Sequence, residues 1–153
     1  GIRESLALTC NANGIQNTLY ADHLFMRLCE SKPFPDASAV LRHLKSRYSL
    51  AICSNVSTEY YDIAELPLCF EYVVLSELVG VTKPQFGLYA AMIKALDHSP
   101  SEIAHITSSP MDVIGAKNAG LTVFLINRNG ERHAESILPD YELKTLDELL
   151  PIL

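Results

Sequence analysis

Three short polar segments stand where strand ends could gather a ligand. Ser54-Asn55 follows an apolar run at residues 49–53, and Thr107-Ser108-Ser109 closes a second run at 103–107. Lys83 lies in the segment that leaves a third run, Tyr72 to Leu75, and Asp112 follows three residues after Ser109. In open parallel sheets, ligands bind beyond the carboxyl ends of the strands. Hydroxyls, an amide, a lysine and a carboxylate would then meet on one edge, a set suited to holding a small anion.

Each residue also has a plainer reading. Ser54 and Asn55 could simply turn the chain toward a helix, with Ser57 or Thr58 as its cap. Lys83, just before Pro84, could be a solvated loop lysine. Ser109-Pro110-Met111-Asp112 has the [ST]-x-x-[DE] spacing of a capping box, with Asp112 answering the first backbone N–H groups of a helix. Tyr89 reads as a core aromatic. The five histidines (His23, His43, His98, His105, His133) show no metal-ligand spacing and no partnered Ser or Cys, and read as incidental. None of the seven glycines builds a G-x-G-x-x-G phosphate loop.

The elements that would position this set follow from hydrophobic period. Residues 16–29 place Leu19, Leu24, Phe25 and Leu28 on one helical stripe, and Pro33 and Pro35 break it. Asp36 is the expected N-cap of a helix carrying Ala37, Val40, Leu41 and Leu44. Strands are predicted at 49–53, Tyr72–Leu75, 103–107, Thr122–Ile126 and Tyr141–Leu143. Pro84 should open a helix whose Phe86, Tyr89, Met92, Ile93 and Leu96 share a face, and Pro110 another, closed by Gly120. A helical turn at 146–150 ends the chain. Strands alternating with helices predict an α/β fold, a Rossmann-like, mostly parallel sheet with flanking helices. The helical first third reads as a cap or lid (residues 1–34) on a core of residues 35–153.

Composition narrows the partners. The chain has 153 residues, 48% hydrophobic and 20% charged, enough for one globular domain. A net charge of −6, with no basic cluster, predicts no nucleic-acid and no anionic-membrane partner. No apolar run reaches the ~18 residues of a membrane span. The four cysteines (Cys10, Cys29, Cys53, Cys69) form no C-x-x-C pair, and thiols in a reducing cytosol are expected. The chain opens with Gly1-Ile2-Arg3 and no Met, and is expected to be a fragment.

Taken in order, the motifs resemble those of the haloacid dehalogenase superfamily. Residues 49–55, ending in Ser54-Asn55, match its second motif, and Val79-Gly80-Val81-Thr82-Lys83-Pro84 its third. Thr107-Ser108-Ser109-Pro110-Met111-Asp112 with Gly115-Ala116-Lys117-Asn118-Ala119-Gly120 matches its fourth. The resemblance implies hydrolysis through an aspartyl ester, one hard displacement divided into two easier ones. It places Ser54, Asn55, Lys83 and Asp112 at catalytic positions, and Tyr89, Thr107, Ser108 and Ser109 at substrate-binding ones.

The phosphatase branch of the family holds magnesium with two acidic side chains in the fourth motif, where this chain has Ser108 and Asp112. The metal-free 2-haloacid dehalogenase branch carries a Ser-Ser-Asn-like segment there and a tyrosine six positions after the motif lysine, as Tyr89 is here. The resemblance therefore implies no cofactor, with magnesium only on the phosphatase alternative, and a small anionic substrate.

The family's nucleophile sits in an Asp-bearing segment at the end of an N-terminal strand. Asp22 lies within a predicted helix and Asp36 precedes one, so neither follows an apolar strand. That strand, on family architecture, is the sheet's centre, between the strands at 49–53 and 103–107. The chain is expected to lack it and to be silent alone. It is also expected to close the gap by pairing those strands directly or by borrowing a strand from a second copy in a homodimer. A non-catalytic remnant that binds a partner through the open edge is the remaining alternative.

Overall fold

The computed structural model describes residues 2–15, 18–64, 70–131 and 137–153. Cys69 and His133 lie outside these residues. Two helices come first, α1 (Ile2–Ala12) and α2 (Thr18–Cys29), packed on each other. The stripe expected on α2 is not the one it buries. Ala21, Phe25 and Cys29, spaced i, i+4, i+8, face inward, whereas Leu19, Leu24 and Leu28 are exposed. Small Ala21 and Cys29 allow the close approach that larger side chains would prevent.

The remaining elements alternate as expected. In chain order they are α3 (Ala37–Lys45), β1 (Ala51–Ser54), α4 (Thr58–Ile63), β2 (Tyr72–Leu75), α5 (Ser76–Val79), α6 (Phe86–Leu96), β3 (Ala104–Thr107), α7 (Pro110–Asn118), β4 (Thr122–Ile126) and β5 (Tyr141–Leu143). Single 3₁₀ turns at Pro100–Glu102 and Leu146–Leu149 complete them. All three strand pairings are parallel: β1 with β2, β3 with β4, and β4 with β5. No described helix is long and apolar enough to cross a membrane.

Alternation along β4 organises the core. Val123 and Leu125 join Leu88, Tyr89 and Met92 of α6 and Val113 and Ala116 of α7 on one face. Phe124 and Ile126 join Val40 and Leu44 of α3 with Leu143 and Leu149 on the other. A strand covered by helices on both faces is the arrangement parallel sheets require.

Asp36 stands at the expected N-cap position of α3 but does not cap it with its side chain. It instead accepts from Arg128 Nη2 at 2.9 and 3.0 Å and from the Leu146 backbone N–H at 2.9 Å, while Arg128 also lies over the Phe34 ring. A carboxylate between a guanidinium and a backbone donor makes three charge-assisted bonds, which leaves it turned away from the helix start. Pro84 likewise precedes its helix rather than opening it, since Gln85 is the N-cap of α6.

The strands form two sheets, β1-β2 and β3-β4-β5. Among the described residues, β1 and β3 each have a strand partner on one side only, so direct pairing across the gap does not occur. The expectation that the gap must close rested on the cost of buried unpaired groups. All four β1 residues are partly exposed, so the seam is not sealed from solvent and that cost does not apply in full. Helices α6 and α7 pack on each other, α6 over β1 and β2 and α7 over β3 and β4, and so hold the two sheets side by side.

Candidate active site

Asn55, one residue past β1, is joined to Lys83 by two bonds. Its Nδ2 donates to the Lys83 carbonyl at 3.1 Å, and its Oδ1 accepts from the Lys83 N–H at 2.7 Å. Both ends of the amide are used on the backbone of one residue, so Asn55 is here a clamp on the lysine loop. Ser57, as one of the two expected caps, accepts from the Tyr60 N–H and starts α4.

Lys83 extends from that clamp to Asp112, Nζ to Oδ2 at 2.7 Å. Asp112 is 4% exposed. Its other oxygen accepts from the Tyr89 hydroxyl, and His105 Nε2 stands 3.1 Å from Oδ2. The carboxylate is only an acceptor, so His105 Nε2 carries the proton in this contact. Burial raises the carboxyl's pKa, but the donors on His105, Lys83 and Tyr89 outweigh it and hold Asp112 well below the usual carboxylate range. The capping-box reading of Asp112 therefore fails. Its side chain points into the cluster, and Ser109 is the N-cap of α7 without a side-chain cap bond.

Local sequence explains the placement. Pro110 begins α7, and the helix ends in a Schellman motif: Gly120 has φ +81°, its N–H bonds Lys117 O, and the Leu121 N–H bonds Ala116 O. With both ends fixed, Asp112 in the first turn faces back toward the end of β3.

Tyr89 is fully buried, with its ring edge-on to His105 at 5.7 Å. Burial, then the bond to Asp112, drives its hydroxyl pKa far above the ordinary tyrosine value. Tyr89 therefore supports Asp112, and in this structure it presents no surface to a ligand. Thr107 Oγ1 accepts from the Ser109 N–H at 3.1 Å, shaping the β3–α7 turn. Ser108 and Ser109 are exposed at the rim, and Ser54 is half-buried at the end of β1. The structure thus joins Asn55, Lys83, Asp112 and Tyr89 in one bonded chain and leaves the serines beside it.

His105, read as incidental from sequence, is part of this chain. The signal was a polar residue on the inward side of a buried strand. Ile106 packs toward Val40 and Leu44, so His105 and Thr107 turn to the face of α6 and α7.

Magnesium does not fit this donor set. Asp112 is the cluster's only carboxylate, one of its oxygens already carries the Lys83 ammonium, and position 108 offers a neutral hydroxyl. A hard dication needs more anionic oxygen than that.

Sequence comparison places the chain in a hydrolase class. The chain belongs to the haloacid dehalogenase-like hydrolase family, whose model matches residues 3–120. It is 33% identical to haloacetate dehalogenase H-2 of Moraxella sp. (strain B), over 97% of this chain and 70% of that protein. Phosphoglycolate phosphatase of Caulobacter vibrioides (strain ATCC 19089 / CIP 103742 / CB 15) is 34% identical, over 64% of this chain and 44% of its own length. Among solved structures, a dehalogenase crystal structure superposes with a TM-score of 0.88 at 25% identity, over 99% of this chain and 70% of the other.

Proposed function

We propose that the chain forms the anion-holding part of a hydrolase that releases halide from small 2-halo carboxylic acids. The observation that carries this reading is the Lys83–Asp112 ion pair, with Ser108 where a second acid would bind metal. A lysine whose charge is already balanced can orient an anion without magnesium. The substrate carboxylate would lie against the Ser54 and Ser108 hydroxyls and the N–H groups opening α7.

The attacking carboxylate enters on a strand seated in the β1–β3 seam, whose carboxyl end would abut Lys83. One of its oxygens displaces halide from C2, forming an ester. Water then adds to the ester carbonyl, releasing the 2-hydroxy acid and restoring the carboxylate. Helices α1 and α2 serve as the cap over this edge, residues 1–34, on a core of 35–153.

Halide release from 2-chloropropionate, measured with such a strand supplied as a fused segment, tests the reading. Turnover supports it; a folded, strand-filled protein that releases no halide overturns it. The phosphatase relative favours a second reading, in which phosphate monoesters are cleaved. Magnesium-dependent phosphate release that chelator abolishes would establish that reading instead.

The same reading extends to setting. Cys10, Cys29 and Cys53 are free thiols, which supports a reducing cytoplasm. The net charge of −6 supports a small-molecule substrate over nucleic acid or an anionic membrane. A homodimer is one source of the seam strand.

A further inference from the structure

His105 and Lys83 share one oxygen. Both Nε2, at 3.1 Å, and Nζ, at 2.7 Å, meet Asp112 Oδ2. Their side chains differ in freedom: His105 is 7% exposed and fixed on β3 against Tyr89, while Lys83 is 20% exposed on a loop.

We propose that His105 is a positioning residue for Lys83, setting how firmly the ammonium is held to Asp112 and how far it can turn to a ligand. With the imidazole neutral, Nε2–H contributes a hydrogen bond and the Asp112–Lys83 pair is charge-balanced. Lys83 then stays seated. With the imidazole protonated, two cations compete for one carboxylate oxygen. The fixed partner keeps its place, and the looser Lys83 swings outward carrying an uncompensated positive charge. Among the described residues, the titratable groups around this cluster are Asp112 from α7, the Tyr89 hydroxyl from α6, Lys83 from the loop before α6, and the Cys53 thiol of β1 within electrostatic reach of Lys83 and Asp112, with Asp112 the one carboxylate bonded to the ring. The neighbour across the ladder is Val123. The inference stands on this geometry, whichever small anion the site takes.

Nuclear magnetic resonance of the unmodified chain tests it directly. The Lys83 Cε and Nζ signals, assigned by their loss in Lys83→Arg, are followed with the His105 ring signals as pH is lowered. The expected result is a step in the Lys83 signals at the pH where the His105 ring protonates. His105→Phe should abolish the step. His105→Gln, whose amide N–H can restore the bond to Asp112, should keep the Lys83 signals near their neutral-pH positions but show no step. Lys83 signals that stay constant while the ring protonates would overturn the proposal. So would an unchanged step in His105→Phe. The wild-type titration decides the matter even if a variant fails to fold.

Discussion

The Tyr89 ring fills the space that a side chain at position 115 would need. A Cβ on Gly115 would stand 2.4 Å from the Tyr89 hydroxyl oxygen and 2.6 Å from the ring. Glycine is thus the residue that lets a tyrosine on α6 reach an aspartate on α7. Gly115→Ala gains up to about 1 kcal/mol of helix propensity, yet it must push Tyr89 off Asp112, an overpacking cost of about 1–3 kcal/mol. A lower urea midpoint is expected, with a changed tyrosine near-UV signal. A variant more stable than wild type would show that the contact relaxes freely.

The Lys83–Asp112 pair should behave as a unit. Lys83→Met leaves a buried carboxylate with one cation fewer, and a loss of about 3 kcal/mol is expected. In a strand-filled, active protein the same change should lower kcat by about 10² or more. Asp112→Asn should lessen the penalty of Lys83→Met, so that the double variant is more stable than the two single losses added together. A double-mutant cycle by chemical denaturation measures this; strict additivity would place Lys83 in solvent.

Asp112 should make the fold lose stability in acid. Asp112 has a folded pKa below its unfolded value of about 3.9, so between the two the unfolded chain binds more protons and folding stability falls as pH falls. The contribution is fully present above the ordinary carboxylate range and is lost progressively as pH falls from there through the depressed folded value. Asp112→Asn should flatten this part of a stability-versus-pH curve measured by urea titration. An unchanged slope would assign the acid transition to other carboxylates.

Cys53 should be a poor nucleophile despite its place near the site. Burial is the largest influence and outweighs the opposing pull of Lys83; with a smaller push from Asp112, it drives the thiol up to about 11. At pH 8 roughly one thiol in a thousand is then ionised, and alkylation by iodoacetamide should be far slower than for a free cysteine. Mass spectrometry of a timed reaction checks this, and rapid labelling of Cys53 would contradict it.

The parts legible in the sequence were those governed by local pattern. Strands β2, β4 and β5 lie at the residues predicted for them, and Gly120 closes α7 as expected. The less legible parts depend on partners distant in the chain. Asp36 has the position of a cap but finds Arg128, 92 residues on. Hydrophobic period puts Phe25 on the buried face of α2, but it puts Leu19, Leu24 and Leu28 there too, and these are exposed because Ala21 and Cys29 set the packing distance. His105 meets Asp112 only seven residues away, yet a strand, a turn and a helix start intervene, and no single period spans them.

The open seam divides the chain's cooperativity. Strand β4, paired on both sides and almost wholly buried, is the rigid axis of one unit. Strands β1 and β2, four residues each, form a ribbon of a size that is marginal alone. That ribbon is held to the rest chiefly through α6 and the Lys83–Asp112 contact. The least costly partial unfolding therefore detaches the β1–β2 side while β3–β5 persist. Asn55 and Lys83 would leave with it, and Asp112 and His105 would remain. The site lies on the boundary between two folding units, so its assembly reports whether they have docked.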